Sequence, residues 1–374
     1  MSGTPSAIVV GAGVVGAACA EALATAGCAV TVLDVAFPGA GATGAAMGHV
    51  VLMDDSPAQL ALTSWSRRLW AERVEAATAP DRAALEHERC GTLWVAADDE
   101  ELAGVRQKAG VYAAQGDEAV VLDAAGLRSE EPALRPGLAG GLLVPGDRVV
   151  YPPAAARLFL DGARQLGARL RLAARVEAVA PGRALCAGRW LEADLVVVAA
   201  GCDSVRLLEG LPILPRKGHL VVSERYPGLV RHQVVELGYL KSAHALTRES
   251  VAFNVQPRRT GQLLIGSSRE LVDRDAALNR PLVARMLRRA IDFMPALASV
   301  RALRTWTGFR PATPDGLPLI GPWEAGLLVA AGHEGLGITT APATAHLIAD
   351  LALGRAPALD PAPFHPRRSL PAHE

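Results

Sequence analysis

The residues best suited to chemistry stand near the two ends of the chain. At the start, Gly11-Ala12-Gly13-Val14-Val15-Gly16 separates a short apolar strand from an alanine-rich helix, and Asp34 closes the strand after it. These types at this spacing suit a pyrophosphate. Gly11 permits the strand-to-helix turn, Gly13 lets backbone approach the phosphates, and Gly16 lets helix and strand pack closely. Amides at the positive end of the helix would receive the charge. Asp34 follows at the spacing of a carboxylate that binds a ribose diol, and it would repel the 2′-phosphate of NADP. The loop alone fits FAD and NAD equally.

Near the other end, GFRPATPDGLPLIG over 308–321 carries an arginine before a proline, and AAGHEGLG over 330–337 repeats the theme of strand, glycine turn and helix. Between them, ADLVVVAAGCDS reads as a buried strand running into a glycine turn. Residues 37–49 are nearly all small, as a loop must be where bulky side chains would collide with a helix or a flat ligand.

The elements that would position these residues follow from periodicity. A helix is expected over 57–78, a strand over 91–97, helices over 99–115 and 123–131, and another helix from Tyr151-Pro152-Pro153, where proline suits the first turn. RLRLAARVEAVA alternates as one strand. From about 211, KGHLVVSE, VVELGYLKS, SVAFNVQP and GQLLIGSS are β-rich and turn-punctuated, suggesting an antiparallel sheet. A helix near 278–293 interrupts it and RALRTWTGFRP resumes it. The proline-rich tail after Gly354 reads as a surface strap.

Composition limits the function. With 374 residues the chain can bury a sizeable core in two domains. Lys plus Arg and Asp plus Glu both total 38, so nothing favours nucleic acid or an anionic membrane surface. No apolar run suffices for a transmembrane segment, and no basic region precedes the first strand, so a cytoplasmic protein is expected. Five cysteines without CxxC or metal spacing read as reduced residues, and no metal site is expected.

Taken together, GATGAAMGHV, VVVAAGCDS, GFRPATPDGLPLIG and GHEGLGITTAPATA resemble the D-amino-acid oxidase-like family of FAD-dependent oxidoreductases, over nearly the whole chain. That family includes glycine oxidase, sarcosine oxidase and amino-acid dehydrogenase subunits. The resemblance implies an α/β fold. A Rossmann-like FAD-binding domain would come from 1–85, 150–210 and 311–374, and an antiparallel-sheet substrate domain from 86–149 and 211–310. It implies FAD rather than NAD. With no cysteine near 308–321, the FAD is expected to be non-covalent.

The resemblance also assigns residues. Gly11, Gly13, Val15 and Gly16 would hold the pyrophosphate, Asp34 the ribose, and the backbone of Val176 the adenine. Gly201 belongs to the cofactor set through VVVAAGCDS. Thr43, Ala46, Met47 and Gly48 would run along the phosphates and the isoalloxazine edge. Gly332, Gly335, Leu336, Gly337 and Ile338 would present amides and a helix dipole to the negative charge developing at flavin N1 and C2=O. His333 is a candidate to bond flavin or substrate. Arg310 would pair with a substrate carboxylate, to which the guanidinium fork is matched. Asn254 falls where glycine oxidases have a carboxylate-binding tyrosine, which leaves room for a larger substrate and an amide for a ring hydroxyl or amine. His49, His219 and His244 are candidates for tuning only.

The implied reaction moves hydride from Cα to flavin N5, from a substrate whose amine is neutral, and yields an imine. The favoured substrate is a small amino acid of the D-proline or D-hydroxyproline type, oxidised by a dehydrogenase. A glycine- or sarcosine-type oxidase is one alternative, and a flavin subunit without amino-acid oxidising activity of its own is another. The electron acceptor stays open among oxygen, a quinone and a partner subunit.

Overall fold

A computed structural model describes residues 4–238, 249–271 and 274–370. The opening apolar run forms strand Ser6–Val10 inside a six-stranded sheet. From edge to edge its strands are Leu319–Glu324, Leu327–Ala331, Leu195–Val198, Ser6–Val10, Ala29–Leu33 and Arg169–Arg171. All neighbours run parallel except the first pair. A parallel sheet is covered on both faces, which is why its central strands read as unbroken valine-rich runs. Helices Val14–Thr25, Pro57–Glu75, Pro152–Gln165 and Gly337–Ala352 share one core with it. Pro152 and Pro153 open their helix as expected.

Residues 169–180 depart from the sequence reading. The expected single strand is two, Arg169–Arg171 at the edge of the parallel sheet and Val176–Ala180 in a separate three-stranded meander. Ala173 stands between them at φ 52°, a left-handed conformation that ends the first strand and redirects the chain.

The β-rich segments form an eight-stranded sheet. In order these are Ala302–Ala312, Leu214–Arg225, Gln262–Leu271, Glu249–Pro257, Gln233–Glu236, Thr92–Ala96, Gly140–Val144 and Val120–Asp123. It is antiparallel except where Gln233–Glu236 meets Thr92–Ala96 in parallel. Of VVELGYLKS, the part beyond 238 lies outside the described residues, as does His244. Helix Arg280–Phe293 covers one face, its Met286 and Phe293 packing with Phe253, Val255 and Ile265. The other face turns toward the loops of the parallel sheet.

The tail is a strap. Phe364 is buried, and the Arg368 guanidinium donates twice to Asp315, at 2.7 Å each, and to the Leu317 and Pro318 carbonyls. All five cysteines are free thiols. Among the described residues no helix is long and apolar enough to cross a membrane.

Candidate active site

The first loop is built for close backbone approach. Gly11 has φ +113°, and a Cβ there would lie 2.5 Å from the Ala199 carbonyl oxygen. Only glycine fits. Gly13 starts helix Val14–Thr25 with no side-chain cap, so the first-turn amides are not claimed by a capping oxygen. The Val14 amide instead donates to the Thr43 hydroxyl at 3.0 Å. Val15 and Gly16 follow in the first turn. Asp34 accepts from the Ala12 amide at 2.6 Å and the Ala36 amide at 2.7 Å. The carboxylate thus pins the loop, and each oxygen retains a lone pair for a diol.

The small-residue loop is clamped against the eight-stranded sheet. It crosses strand Ala302–Ala312 at Gly308, where a Cβ would collide with the Cβ of Ala45. The Trp306 indole donates to the Ala45 carbonyl at 3.2 Å, and the Gln256 amide donates to the Met47 carbonyl at 2.9 Å. Ala46 packs against the helical core, Met47 is buried against Leu220 and Leu264, and the Gly48 carbonyl accepts from Val150 at 2.8 Å.

The second glycine turn closes on both. Gly332 follows the buried strand Leu327–Ala331, and helix Gly337–Ala352 begins after Leu336 without a side-chain cap. A Cβ on Gly337 would stand 3.9 Å from the Val15 side chain, and one on Gly335 would stand 3.9 Å from Nε of Arg310. Ile338 is buried and its carbonyl accepts from the Trp70 indole at 2.9 Å. The two turns, far apart in sequence, therefore abut.

Arg310 lies on the same sheet face. It is the cross-strand partner of Arg216, its side chain folds over Gly218, and it donates to the Ser268 carbonyl at 3.1 Å. Glu334 stands close by, accepting from Arg216 at 2.8 Å with Arg269 at 3.6 Å. Burial works to raise the Glu334 carboxyl, but the charges of Arg269, Arg216 and Arg310 hold it below its ordinary range.

Among the described residues, the buried polar atoms without a protein partner include Nε2 of His49, Nε1 of Trp94, Oδ1 of Asn254 and Oε1 of Gln256. Asn254 lies between Gly266 and Val235 across the strands, and Val235 pairs with Trp94, so one row of the sheet carries two of these atoms. Burial, and then the Arg310 charge, pushes the His49 imidazole down to about 3, so it is neutral. Unsatisfied buried groups are costly, and a ligand that completes them would offset that cost.

Other candidates are not brought to this cluster. His333 turns to the Thr344 hydroxyl, 3.0 Å from its Nε2, and burial lowers its pKa to about 3. His219 has both nitrogens engaged, one with Ser268 at 2.9 Å and one accepting the Asn279 amide at 3.1 Å. Val176 opens the meander, and Gly201 follows strand Leu195–Val198 in a 3-10 turn. Four residues of the site went unnamed in the sequence reading: Gln256, Trp306, Arg216 and Glu334. The alternation of FNVQP puts Gln256 on the face of Asn254, a signal that was available. Trp306 and Arg216 depend on strand register, and Glu334 on the turn after Ala331, where its amide donates to the Pro311 carbonyl.

The uncapped helix starts, the ribose-spaced carboxylate and the unpartnered polar atoms fit a bulky dinucleotide with a polar ring, as in a flavin-dependent oxidoreductase. The comparisons agree. Residues 6–351 match the family model of FAD-dependent oxidoreductases, and the chain belongs to that family. Glycine oxidase of Pseudomonas aeruginosa is 31% identical, covering 97% of this chain and 99% of that protein. A D-amino acid dehydrogenase of Xanthobacter autotrophicus is 31% identical over 81% of this chain and 72% of its own. The solved glycine oxidase of Geobacillus kaustophilus superposes with a TM-score of 0.86 at 27% identity, covering 98% of this chain and all of that one. The cofactor is FAD and the protein is an oxidoreductase.

Proposed function

We propose that the protein oxidises the CH–NH bond of a small amino acid. The observation that carries this reading is Arg310, set beside the second glycine turn on the sheet face where Asn254 and His49 keep unpartnered polar atoms. Bound FAD, held non-covalently, supplies the hydride acceptor. Arg310 binds the carboxylate with parallel charge-assisted bonds and fixes the orientation of Cα. Of the turn from Gly332 to Ile338, the Glu334 and Leu336 amides are taken by the Pro311 and His333 carbonyls, so the remaining amides and the start of helix Gly337–Ala352 would meet the ring edge where negative charge develops. Neutral His49, with its pKa pushed down to about 3, is no base for the substrate ammonium, but its unpartnered Nε2 can hydrogen-bond a bound ligand. The roles given to Gly11, Gly13, Asp34, Thr43 and Met47 follow from the same reading.

Within that activity, the favoured substrate is a cyclic secondary amino acid of the D-proline or D-hydroxyproline type. The unpartnered Oδ1 of Asn254 can accept from a ring hydroxyl or amine. A glycine-type oxidase is the second reading, supported by the likeness to the P. aeruginosa protein. The test is anaerobic bleaching of the yellow protein by D-, L- and N-substituted amino acids, followed by air. Bleaching by D-proline or cis-4-hydroxy-D-proline with slow reoxidation supports the first. Bleaching by glycine or sarcosine with fast peroxide formation supports the second. FAD-loaded protein that no amine bleaches sinks both.

A further inference from the structure

The clamp of the small-residue loop divides the sheet face in two. Ala45 seats on Gly308, with Arg310 two residues along the strand on one side and Trp306 two residues along on the other. On the Trp306 side lies a cavity of about 210 Å³, roofed by Ala46 and Met47. Its floor is one cross-strand row: Gln256 opposite Leu264, Leu264 opposite Val222, Val222 opposite Arg304. Three strand spacings separate the ends of that row, about 14 Å between backbones, and the two terminal side chains span part of this themselves.

The two ends differ in chemistry. Gln256 is 1% exposed, and its Nε2 is fixed on the Met47 carbonyl, which sets the amide orientation and leaves Oε1 buried without a partner. That end wants a hydrogen-bond donor. At the other end Arg304 is exposed, lies 6.0 Å from the Trp306 ring, and has no carboxylate partner among the described residues. Arg258, also on the rim, is already paired in bidentate fashion with Glu86 at 3.1 and 2.6 Å. Leu264, Val222 and Met47 make the middle apolar.

We propose that this compartment is a second binding site, separate from the Arg310 site, for a small organic acid. The ligand would carry its acid group on Arg304, an aryl or short alkyl body over Leu264 and Val222, and a hydroxyl or amine donating to Gln256 Oε1. Because Gln256 and Trp306 also hold the Met47 and Ala45 carbonyls, occupancy stiffens the loop assigned to the flavin edge.

The probe is 4-hydroxybenzoate, which has donor and acid at opposite ends of one ring. Calorimetric titration of the FAD-loaded protein compares it with benzoate, which lacks the donor, and 4-hydroxybenzyl alcohol, which lacks the acid. We expect at least tenfold tighter binding than either, a tenfold or greater loss in Arg304→Gln, and no change in Arg310→Met. Absence of binding, equal affinity for all three probes, or loss in Arg310→Met without loss in Arg304→Gln overturns the proposal. The readout is binding, not turnover, so its failure leaves the amino-acid reading untouched, and failure of that reading leaves this result interpretable.

Discussion

On one face of the eight-stranded sheet, Phe253 stacks on Phe293 with ring centroids 4.9 Å apart, and Met286, Val255 and Ile265 fill the space around them. On the opposite face of the same strands, Asn254 and Gln256 flank Phe253 and Val255 in sequence and keep buried oxygens without partners. The first face is finished by the chain itself. The second is left incomplete in polar terms, and its glycines hold space that side chains elsewhere would fill. A sheet that spends stability on one side and supplies it from the other is what a ligand-binding scaffold requires, because binding then adds to the stability of the folded state.

Substitutions on the two faces should separate cleanly. If Arg310 holds the substrate carboxylate as proposed, Arg310→Met removes two charge-assisted bonds of about 1.5–3 kcal/mol each, so kcat/KM for the amino acid should fall roughly 10²–10⁴-fold. FAD content should not change. Steady-state kinetics beside flavin absorbance reads this. A loss of FAD in step with activity would break the assignment to substrate.

Phe253→Ala acts on the closed face. It should cost about 3–5 kcal/mol in denaturant unfolding, while activity per folded, flavin-loaded molecule stays near wild type. Asn254→Leu tests the open face in the opposite sense. Removing an unsatisfied buried group should raise the stability of the apo protein by about 1 kcal/mol or more, while KM for substrate rises. A destabilised Asn254→Leu would mean that the amide has a structural partner.

A comparable effect is expected on acid stability. His49 and His333 both fall from the ordinary histidine value to about 3 in the folded state. A depressed folded pKa gives stability that is full above about 6.5 and is lost as pH falls from there through 3. At pH 5.5 each histidine should already cost about 1.4 kcal/mol. Unfolding midpoints between pH 7.5 and 5.5 should drop less in His49→Asn than in wild type. Equal slopes would refute a buried neutral His49.

Much of this was legible in the chain. The glycine loop, Asp34 and the arginine before Pro311 stand out because residue type and local spacing carry the signal, although their contacts reach Ala199, Ala12 and Ser268. Features that arise between strands did not. Arg216 meets Arg310, and Trp306 reaches Ala45, only through a register that the sequence does not carry. His333 attracted notice by its motif, yet its ring is taken by Thr344 one helix further on, a tertiary contact. Ala173 ended a strand that alternation would have continued, since nothing in its type advertises φ 52°.

The strand order has a consequence for synthesis. Ser6–Val10 leaves the ribosome long before its neighbour Leu195–Val198, which is completed only by Leu327–Ala331, and helix Gly337–Ala352 packs on helix Val14–Thr25. At about 5–20 residues per second, the nascent dinucleotide loop waits roughly 15–60 s for the segments that finish its sheet. Until then, valine-rich edges stand unpaired. The sheet that carries the dinucleotide loop therefore closes only after the segments that lie far along the chain have been made.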